Sequence, residues 1–226
     1  MPAPDLDPAA TEPIRVVIAD DHGAIRAGLA MILSAAPDIS VVGEAADGDA
    51  AIRQARALRP DLVLMDVRMP GTDGIEATRT IVTDRLAQVL VLTTFDLDDY
   101  VFGALRAGAA GFLLKSVEPT ALIDAVRRVA AGDGVLAPEV TRRILAEFTR
   151  TPEPEPAEVP GLAELTERER EVLAALGRGL SNAQLAAELV ISEATAKTHV
   201  SRVLAKLDLA SRTQAAIVAR TAGLVP

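Results

Sequence analysis

The polar residues that end the apolar runs of this sequence are of the types that handle phosphoryl groups. They are Asp20, Asp21 and Asp66, with Thr93 and Lys115 later in the chain. An aspartate in this position can serve as a nucleophile that becomes an aspartyl phosphate. Adjacent carboxylates bind Mg²⁺ through hard oxygen ligands, and a lysine with a hydroxyl completes a clamp for the phosphoryl oxygens. This chemistry requires a fold that brings these residues together.

Short apolar runs alternate with helix-like segments between Ile14 and about Gly132, and this alternation predicts an α/β sheet covered on both faces. The predicted strands are IRVVIAD (14–20), SVVGEA (40–45), LVLMD (62–66), QVLVLTTF (88–95) and GFLLK (111–115). Continuous apolar runs are typical of buried parallel strands. Because the carboxyl ends of parallel strands lie at one edge of such a sheet, the polar residues are expected to converge there.

A site with several carboxylates needs a cation. Carboxylates that lie together raise one another's pKa unless a positive charge holds them. The chain contains no cysteine, and oxygen ligands without His or Cys favour Mg²⁺, which often bridges to a phosphate. Taken singly, Asp20 and Asp21 also fit a solvated turn, and Lys115 fits a surface lysine. Their joint occurrence at strand ends is what predicts the site.

The pattern changes to helices alone after a linker. The linker, TPEPEPAEVP (151–160), alternates proline with acidic residues and favours extended polyproline II over a packed core. The preceding segment PEVTRRILAEFT (138–149) predicts one further helix. Beyond the linker, capping-box patterns of the form S/T-x-x-E/Q begin at three positions, and a fourth N-cap candidate lies between them. The boxes begin at Thr166, Ser181 and Ser211, and the further candidate is Ser192. Four short helices are therefore expected.

Composition limits the function classes. The net charge is -9, which taken alone argues against nucleic acid as a partner. Residues 180–226, however, hold five basic and three acidic residues, so the C-terminal part differs from the whole. No apolar run approaches the ~18 residues that a membrane span needs. The acidic, Pro-rich segment 1–13 lacks the features of a signal peptide, and we expect a cytoplasmic protein.

The segment SEATAKTHVSRVLAKL (192–207) predicts an amphipathic helix. Its apolar face is expected to pack on the helix from Asn182 to Leu189. The residues of that face are Ala196, Val200, Val203, Leu204 and Leu207. The opposite side, which could enter a DNA major groove, carries Lys197, Thr198, Ser201, Arg202 and Lys206. An ordinary solvated face is the alternative interpretation of the same pattern.

Two sets of motifs resemble known domains. Residues 14–132 resemble a response-regulator receiver domain through DD, MDVRMPGTDG, a threonine and GFLLK. Residues 162–222 resemble the LuxR-type helix-turn-helix through LTEREREVL, GLSNAQLAAEL, ISEATAKTHVSRVLAKL and SRTQAA. Together they resemble the NarL/FixJ-type response regulators.

This resemblance implies a flavodoxin-like, doubly wound, five-stranded parallel sheet followed by a small all-α domain of four helices. The implied divisions are a flexible tail (1–13), a receiver domain (14–134), a helix with the Pro/Glu-rich linker (135–161) and a helix-turn-helix domain (162–226).

The resemblance also assigns roles at the acidic site. Asp66 would accept a phosphoryl group from a sensor histidine kinase or a small donor. The Mg²⁺ ligands would be Asp21 directly, Asp20 mainly through water, Asp66 and the backbone carbonyl of Arg68. Lys115 would neutralise the phosphoryl oxygens, and Thr93 and Phe112 would act as the switch residues. Phe112 could instead simply fill the strand. Apart from accepting the group and slowly losing it, the chain would have no enzyme activity.

For the helical domain, the resemblance implies binding to double-stranded promoter DNA. Lys197, Thr198 and Ser201 occupy the base-reading positions, and Arg202 is a candidate phosphate contact. Ala196 stands where valine is usual, and Ser201 where some members carry lysine. A homodimer formed on phosphorylation would occupy two half-sites.

Two other functions use similar residues. An aspartyl-phosphate phosphatase also has a nucleophilic Asp at a strand end with Mg²⁺, but it usually has a second acid two residues later, where this chain has Arg68. An adaptor would keep the receiver fold without accepting phosphate. The presence of the whole polar set argues against the adaptor.

Overall fold

A parallel sheet organises the N-terminal domain. The computed structural model describes residues 12–93, 98–136 and 161–225. The strands are β1 (Ile14–Ala19), β2 (Ile39–Ala45), β3 (Leu62–Asp66), β4 (Gln88–Thr93), β5 (Gly111–Leu114) and β6 (Val135–Leu136). They pair in the order β2-β1-β3-β4-β5-β6, with parallel neighbours throughout. The predicted five-strand sheet is confirmed, and the two-residue β6 adds an edge strand beyond the predicted domain boundary at residue 134.

Helices cover both faces of this sheet, as its apolar strands require. One layer consists of α1 (Gly23–Ser34) and α5 (Pro119–Ala130), which contact each other. The other consists of α2 (Gly48–Leu58), α3 (Gly74–Thr83) and α4 (Asp98–Arg106), packed side by side. All five residues of β3 are buried, so Asp66 ends a strand that has no solvated face. Burial on both faces is what the continuous apolar runs predicted.

Two glycines let the loop after β3 lie tightly against its neighbours. A Cβ atom at Gly74 would lie 1.9 Å from the carbonyl oxygen of Asp66. A Cβ atom at Gly48, in the first turn of α2, would lie 2.3 Å from the carbonyl oxygen of Thr72. Asp73 caps α3 by accepting two backbone N–H bonds. The loop that carries Arg68 is therefore held between β3 and the N-terminus of α2.

Helices alone form the C-terminal domain. A 3₁₀ turn (Leu162–Glu164) precedes α6 (Glu167–Gly177), α7 (Asn182–Leu189), α8 (Glu193–Lys206) and α9 (Arg212–Thr221). These α-helices are the four that the cap signals predicted. The apolar face of α8 is buried as expected, with Ala196 and Val203 fully buried and α7 in contact with it. Over the described ranges, none of the helices combines the length and apolarity needed to cross a membrane.

The cap signals are largely confirmed. The capping boxes at Thr166 and Ser181 are complete, and Ser192 caps α8. The third box is wrong in part. Ser211 accepts the N–H of Gln214, but the Gln214 side chain binds Ala210 and the carbonyl oxygen of Arg106 instead of returning to Ser211. The Gln214 amide is drawn away because its domain packs against α4.

Three sequence predictions lie outside the described residues. They are the helix at 138–149, the linker at 151–160 and the greater part of the tail at 1–13.

Candidate functional site

The carboxyl edge of the sheet brings three predicted site residues into direct contact. Asp20 follows β1 and Asp66 ends β3, and both are buried. The Lys115 Nζ atom, just past β5, lies 2.7 Å from Asp20 Oδ2 and 2.8 Å from Asp66 Oδ2. The Lys115 side chain is itself only 14% exposed. One ammonium group thus joins two buried carboxylates at the ends of adjacent strands.

Burial and charge act in opposite directions on these groups. Burial raises the pKa of Asp66, and the nearby Asp20 charge adds to that rise. The hydrogen bond and positive charge of Lys115 oppose it, as does the backbone N–H of Arg68. Burial alone would lower the pKa of Lys115, but its bonds to both aspartates leave that pKa raised. Lys115 is therefore kept in its charged form, while the charged form of Asp66 is disfavoured relative to that of an ordinary aspartate.

Asp21 stands at the more exposed side of the site, where its carboxylate contacts His22. The His22 Nδ1 atom lies 2.6 Å from Asp21 Oδ1. The His22 backbone N–H also donates to Asp20 Oδ1 at 2.8 Å. Within the described ranges, Asp20, Asp21 and His22 form the group of side chains that could hold a metal ion. His22 was missed at the sequence level, and only its place beside the two acids could have indicated it.

The charge of the predicted donor set suits a hard divalent cation, although Asp66 does not belong to the group formed by Asp20, Asp21 and His22. Asp20, Asp21 and Asp66 carry three negative charges, and Lys115 supplies a single positive one at contact distance. Two charges therefore remain to be balanced in a partly buried site, and the carboxylates present the oxygen ligands that Mg²⁺ prefers. The imidazole of His22 is a softer ligand than these carboxylates and suits Mg²⁺ less well.

The remaining predicted residues lie on β4, on β5 and on the loop after Asp66. Thr93 is 3% exposed at the end of β4, and its carbonyl oxygen accepts the Lys115 backbone N–H at 2.7 Å. The backbone N–H of Arg68 bonds to the Asp66 carboxylate, so the Arg68 peptide lies beside that carboxylate. Phe112 is fully buried within β5 and pairs in register with Val91. The structure thus gathers the predicted residues at one edge, with the Phe112 ring in the core.

The predicted DNA contacts lie together on α8. Lys197, Thr198, Ser201 and Arg202 are all exposed, on the side away from the buried Ala196 and Val203. The Thr198 hydroxyl donates to the carbonyl oxygen of Ala194 at 3.0 Å. The face is polar and carries two basic side chains, as an element that enters a major groove requires.

A second feature, absent from the sequence predictions, is an ionic contact between the domains. The Arg212 Nη1 atom, at the start of α9, lies 2.8 Å from Asp133 Oδ1 in the turn after α5. The same nitrogen donates to the Gly132 carbonyl oxygen at 3.1 Å, and Nη2 donates to the carbonyl oxygen of Leu180. Asp133 also accepts the Asn182 N–H at 3.3 Å. Burial lowers the pKa of Arg212, while Asp133 opposes that change.

Two further hydrogen bonds extend this docking contact. The Thr213 hydroxyl donates to the carbonyl oxygen of Ala110 at 3.3 Å, at the start of β5. The Gln214 Nε2 atom donates to the carbonyl oxygen of Arg106 at 3.1 Å, at the end of α4. The first turn of α9 therefore binds the N-terminal domain at the edge of the sheet opposite the acidic site.

Docking covers part of the DNA-contact face. Lys197 and Ser201 line a cavity of ≈210 Å³ together with Gln88, Ala110 and Ala130 of the N-terminal domain. A duplex offers a major groove ~12 Å wide that must fit around the whole helix. Because the N-terminal domain lies across this small cavity from α8, the face of α8 that lines the cavity cannot enter such a groove. The docked receiver therefore lies next to Lys197 and Ser201 and would hinder a duplex on that side, although both side chains keep exposed surface.

Comparison with known proteins identifies both domains. Residues 16–127 match the family described as "Response regulator receiver domain", and residues 163–219 match "Bacterial regulatory proteins, luxR family". The transcriptional regulatory protein LiaR of Bacillus subtilis (strain 168) is 41% identical over 213 residues, which span 94% of this chain and 99% of LiaR. The response regulator VraR of Staphylococcus aureus (strain NCTC 8325 / PS 47) is 42% identical over 207 residues, 91% of this chain and 96% of VraR.

A solved structure agrees along the same length. The response regulator ChrA, from a heme-sensing two-component system, is 41% identical with a TM-score of 0.54, and the match covers 95% of this chain and 100% of ChrA. The acidic edge of the sheet, the polar face of α8 and these relatives lead to one conclusion. The chain belongs to the response regulators that join a receiver domain to a LuxR-family DNA-binding domain, and it is a DNA-binding transcription regulator of a two-component system.

Proposed function

We propose that Asp66 accepts a phosphoryl group from a sensor histidine kinase in a Mg²⁺-dependent reaction, and that this event releases the DNA-binding domain to bind promoter DNA as a dimer. The observation that carries the proposal is the Asp20–Lys115–Asp66 contact, with distances of 2.7 and 2.8 Å. A buried carboxylate whose charge is poorly compensated is well suited to act as a nucleophile.

The transfer forms one bond and breaks one. A carboxylate oxygen of Asp66 attacks phosphorus, the P–N bond of the donor phosphohistidine breaks, and its electron pair returns to the imidazole nitrogen. Lys115 then moves its ammonium contact from the carboxylate to the phosphoryl oxygens. When bound, Mg²⁺ would be held by Asp20, Asp21, Asp66 and the Arg68 carbonyl, and would supply charge neutralisation. Loss of the phosphoryl group to water is a slow side reaction, so the chain is a regulator and not a phosphatase.

The switch begins where the new charge appears. Thr93 is buried at the end of β4, the strand next to β3, and its hydroxyl would turn toward the phosphoryl oxygens. Movement at the end of β4 would change the space available to Phe112 in the adjacent strand. A local event of this kind acts by favouring one of two packed arrangements.

The two packed arrangements are the docked and the undocked positions of the DNA-binding domain. In the docked state the Asp133–Arg212 pair holds the receiver over Lys197 and Ser201. We propose that this is the resting state and that phosphorylation favours the undocked one. Release would expose α8, whose Lys197, Thr198 and Ser201 would read bases while Arg202 would bind phosphate. Dimerisation through the freed receiver would place two such helices on two half-sites.

The test is labelling of the full chain with acetyl phosphate, read on a phosphate-affinity gel. The wild type should be labelled with Mg²⁺ and remain unlabelled in EDTA, and Asp66→Asn should remain unlabelled in both. Asp84→Asn is a matched control, because Asp84 pairs with Arg56 at the exposed end of α3. Label retained on Asp66→Asn would place the acceptor elsewhere. Steady release of inorganic phosphate would support the phosphatase alternative.

A further inference from the structure

Arg26 reaches the acidic site from α1, although it belongs to none of the predicted site motifs. Its Nη1 atom donates to the carbonyl oxygen of Asp20 at 2.7 Å. Its Nε atom donates to Glu44 Oε2 on β2 at 3.2 Å. The Arg26 side chain is 20% exposed. A single guanidinium on α1 therefore bonds both to the residue that follows β1 and to a side chain of β2, next to the predicted cation ligands.

The backbone of Asp20 is held on both sides. Its N–H donates to the carbonyl oxygen of Ala45 at 3.1 Å, and its carbonyl oxygen accepts from Arg26. That carbonyl belongs to the peptide unit whose nitrogen is that of Asp21. Rotation of this peptide would move the Asp21 carboxylate relative to that of Asp20. The bond from Arg26 to the carbonyl oxygen opposes that rotation.

Asp21 depends on this restraint more than Asp20 does. The Asp20 carboxylate is fixed by Lys115 and by the His22 backbone N–H. The Asp21 carboxylate instead contacts the ring of His22, which is 68% exposed and so only weakly restrained itself. The position of Asp21 is therefore set mainly by the backbone that Arg26 holds.

We infer that Arg26 is a positioning residue for divalent-cation binding, because it fixes the peptide between Asp20 and Asp21 and with it the spacing of the two carboxylates. The inference rests on the proposed function, in which these acids hold Mg²⁺. Groups that orient metal ligands typically contribute 10–100-fold to metal affinity. We expect about a tenfold weaker Mg²⁺ affinity when the restraint is removed.

Charge and positioning make opposite predictions for Arg26→Met. Removal of a positive charge beside three carboxylates should strengthen cation binding by Coulomb attraction. Loss of the restraint should weaken it. The Mg²⁺ dissociation constant, measured by titration calorimetry on the full chain without any phosphoryl donor, distinguishes the two. Arg26→Lys retains the charge but lacks the rigid fork that serves both acceptors, so it too should bind Mg²⁺ more weakly.

Arg56→Met is the matched control, since Arg56 pairs with Asp84 at 2.9 Å far from the site. It should leave Mg²⁺ binding unchanged. With acetyl phosphate, Arg26→Met should need more Mg²⁺ for half-maximal labelling and should reach the wild-type rate at saturation. Melting in EDTA reports any general loss of structure, and if Arg26→Met melts early, Arg26→Lys decides.

Equal or tighter Mg²⁺ binding by both Arg26 variants would overturn the inference and leave the proposed function intact. A wild type that binds Mg²⁺ but is never labelled would overturn the proposed function, while the calorimetric comparison still tests Arg26. A wild type that binds no Mg²⁺ would overturn both.

Discussion

Asp133→Asn should free the DNA-binding domain without phosphorylation. The Asp133 carboxylate accepts from Arg212 at 2.8 Å and from the Asn182 N–H at 3.3 Å. The paired side chains of Asp133 and Arg212 are only 18% and 9% exposed. Hydrogen bonds to charged groups contribute ~1.5–3 kcal/mol each. Asparagine keeps an acceptor but loses the charge, so we expect docking to weaken by about 2 kcal/mol.

That free energy translates into DNA affinity. A difference of 2 kcal/mol is roughly 30-fold in an equilibrium constant. When only the undocked fraction binds DNA, the apparent dissociation constant equals the intrinsic one divided by that fraction. The unphosphorylated variant should therefore bind a specific duplex up to about 30-fold more tightly than the wild type. Fluorescence anisotropy with a labelled promoter duplex measures this, before and after phosphorylation, and the gain should largely vanish in the phosphorylated pair.

The control removes the same charge without touching the docking contact. Asp124 lies on α5, pairs with Arg127 at 3.3 Å and is 70% exposed. Asp124→Asn makes the chain less acidic by the same amount, so it reports the general attraction of a less negative protein for DNA. If Asp133→Asn and Asp124→Asn gain affinity equally, the ionic contact does not restrain the DNA-binding domain and the reasoning fails.

Three further predictions concern the C-terminal domain. Lys197→Ala should lower affinity for a specific duplex more than for a scrambled one, by ~1–3 kcal/mol per half-site. Arg202→Ala should weaken binding to both duplexes alike and reduce the slope of log affinity against log salt by about one unit. Equal losses for Lys197→Ala on the two duplexes in a salt titration would make Lys197 a backbone contact. Val190, the C-cap residue that follows α7, lies in the left-handed region with φ 55° and is 89% exposed. Val190→Gly should raise the free energy of unfolding by about 0.5–1 kcal/mol, because it relieves ~1–2 kcal/mol of backbone strain and loses part of that gain to the greater flexibility of glycine in the unfolded chain. An unchanged or lower urea midpoint would contradict this. The hydrogen bond from Lys206 and the bonds from Thr166 lower the pKa of Glu169 to about 2. The stabilisation from this lowered pKa is present above the ordinary pKa of Glu and is lost as pH falls toward 2. The urea midpoints of the wild type and Glu169→Gln should therefore differ at pH 7 and converge in acid. A difference between the two midpoints that does not change with pH would exclude the charge as the cause.

Local sequence patterns predicted the strands and the acidic site well. Continuous apolar runs identified each of the five long strands, and polar residues at their ends identified Asp20, Asp66 and Lys115, which the structure places in contact. The reason is geometric. Parallel strands share one carboxyl edge, so residues far apart in sequence converge there once the strands are recognised. The cap residues at Thr166, Ser181 and Ser192 were predictable because their partners lie within one turn.

Pairs formed across the fold could not be predicted in this way. Arg212 and Asp133 are 79 residues apart, and Arg26 and Glu44 are 18 apart. No local spacing relates such partners, since only the packed structure brings them together. Gln214 shows the same limit in reverse. Its spacing from Ser211 matched a capping box, but its Oε1 atom accepts the Ala210 N–H instead, while its Nε2 atom donates to the carbonyl oxygen of Arg106. The two residues of β6 are too short a run to show any periodicity.

Strand β5 has a different partner at each end. The carbonyl oxygen of Ala110, just before the strand, accepts from Thr213 of the DNA-binding domain, and Lys115, just after it, bonds to Asp20 and Asp66. Five residues of extended chain separate the two ends by about 17 Å. Any coupling between two binding equilibria is reciprocal. If an occupied Asp66 loosens docking by some factor, docking must disfavour occupancy of Asp66 by the same factor. If promoter DNA binds only the undocked form, it would then act as an effector of the receiver, and occupied promoters would shift the equilibrium at Asp66 toward its occupied form.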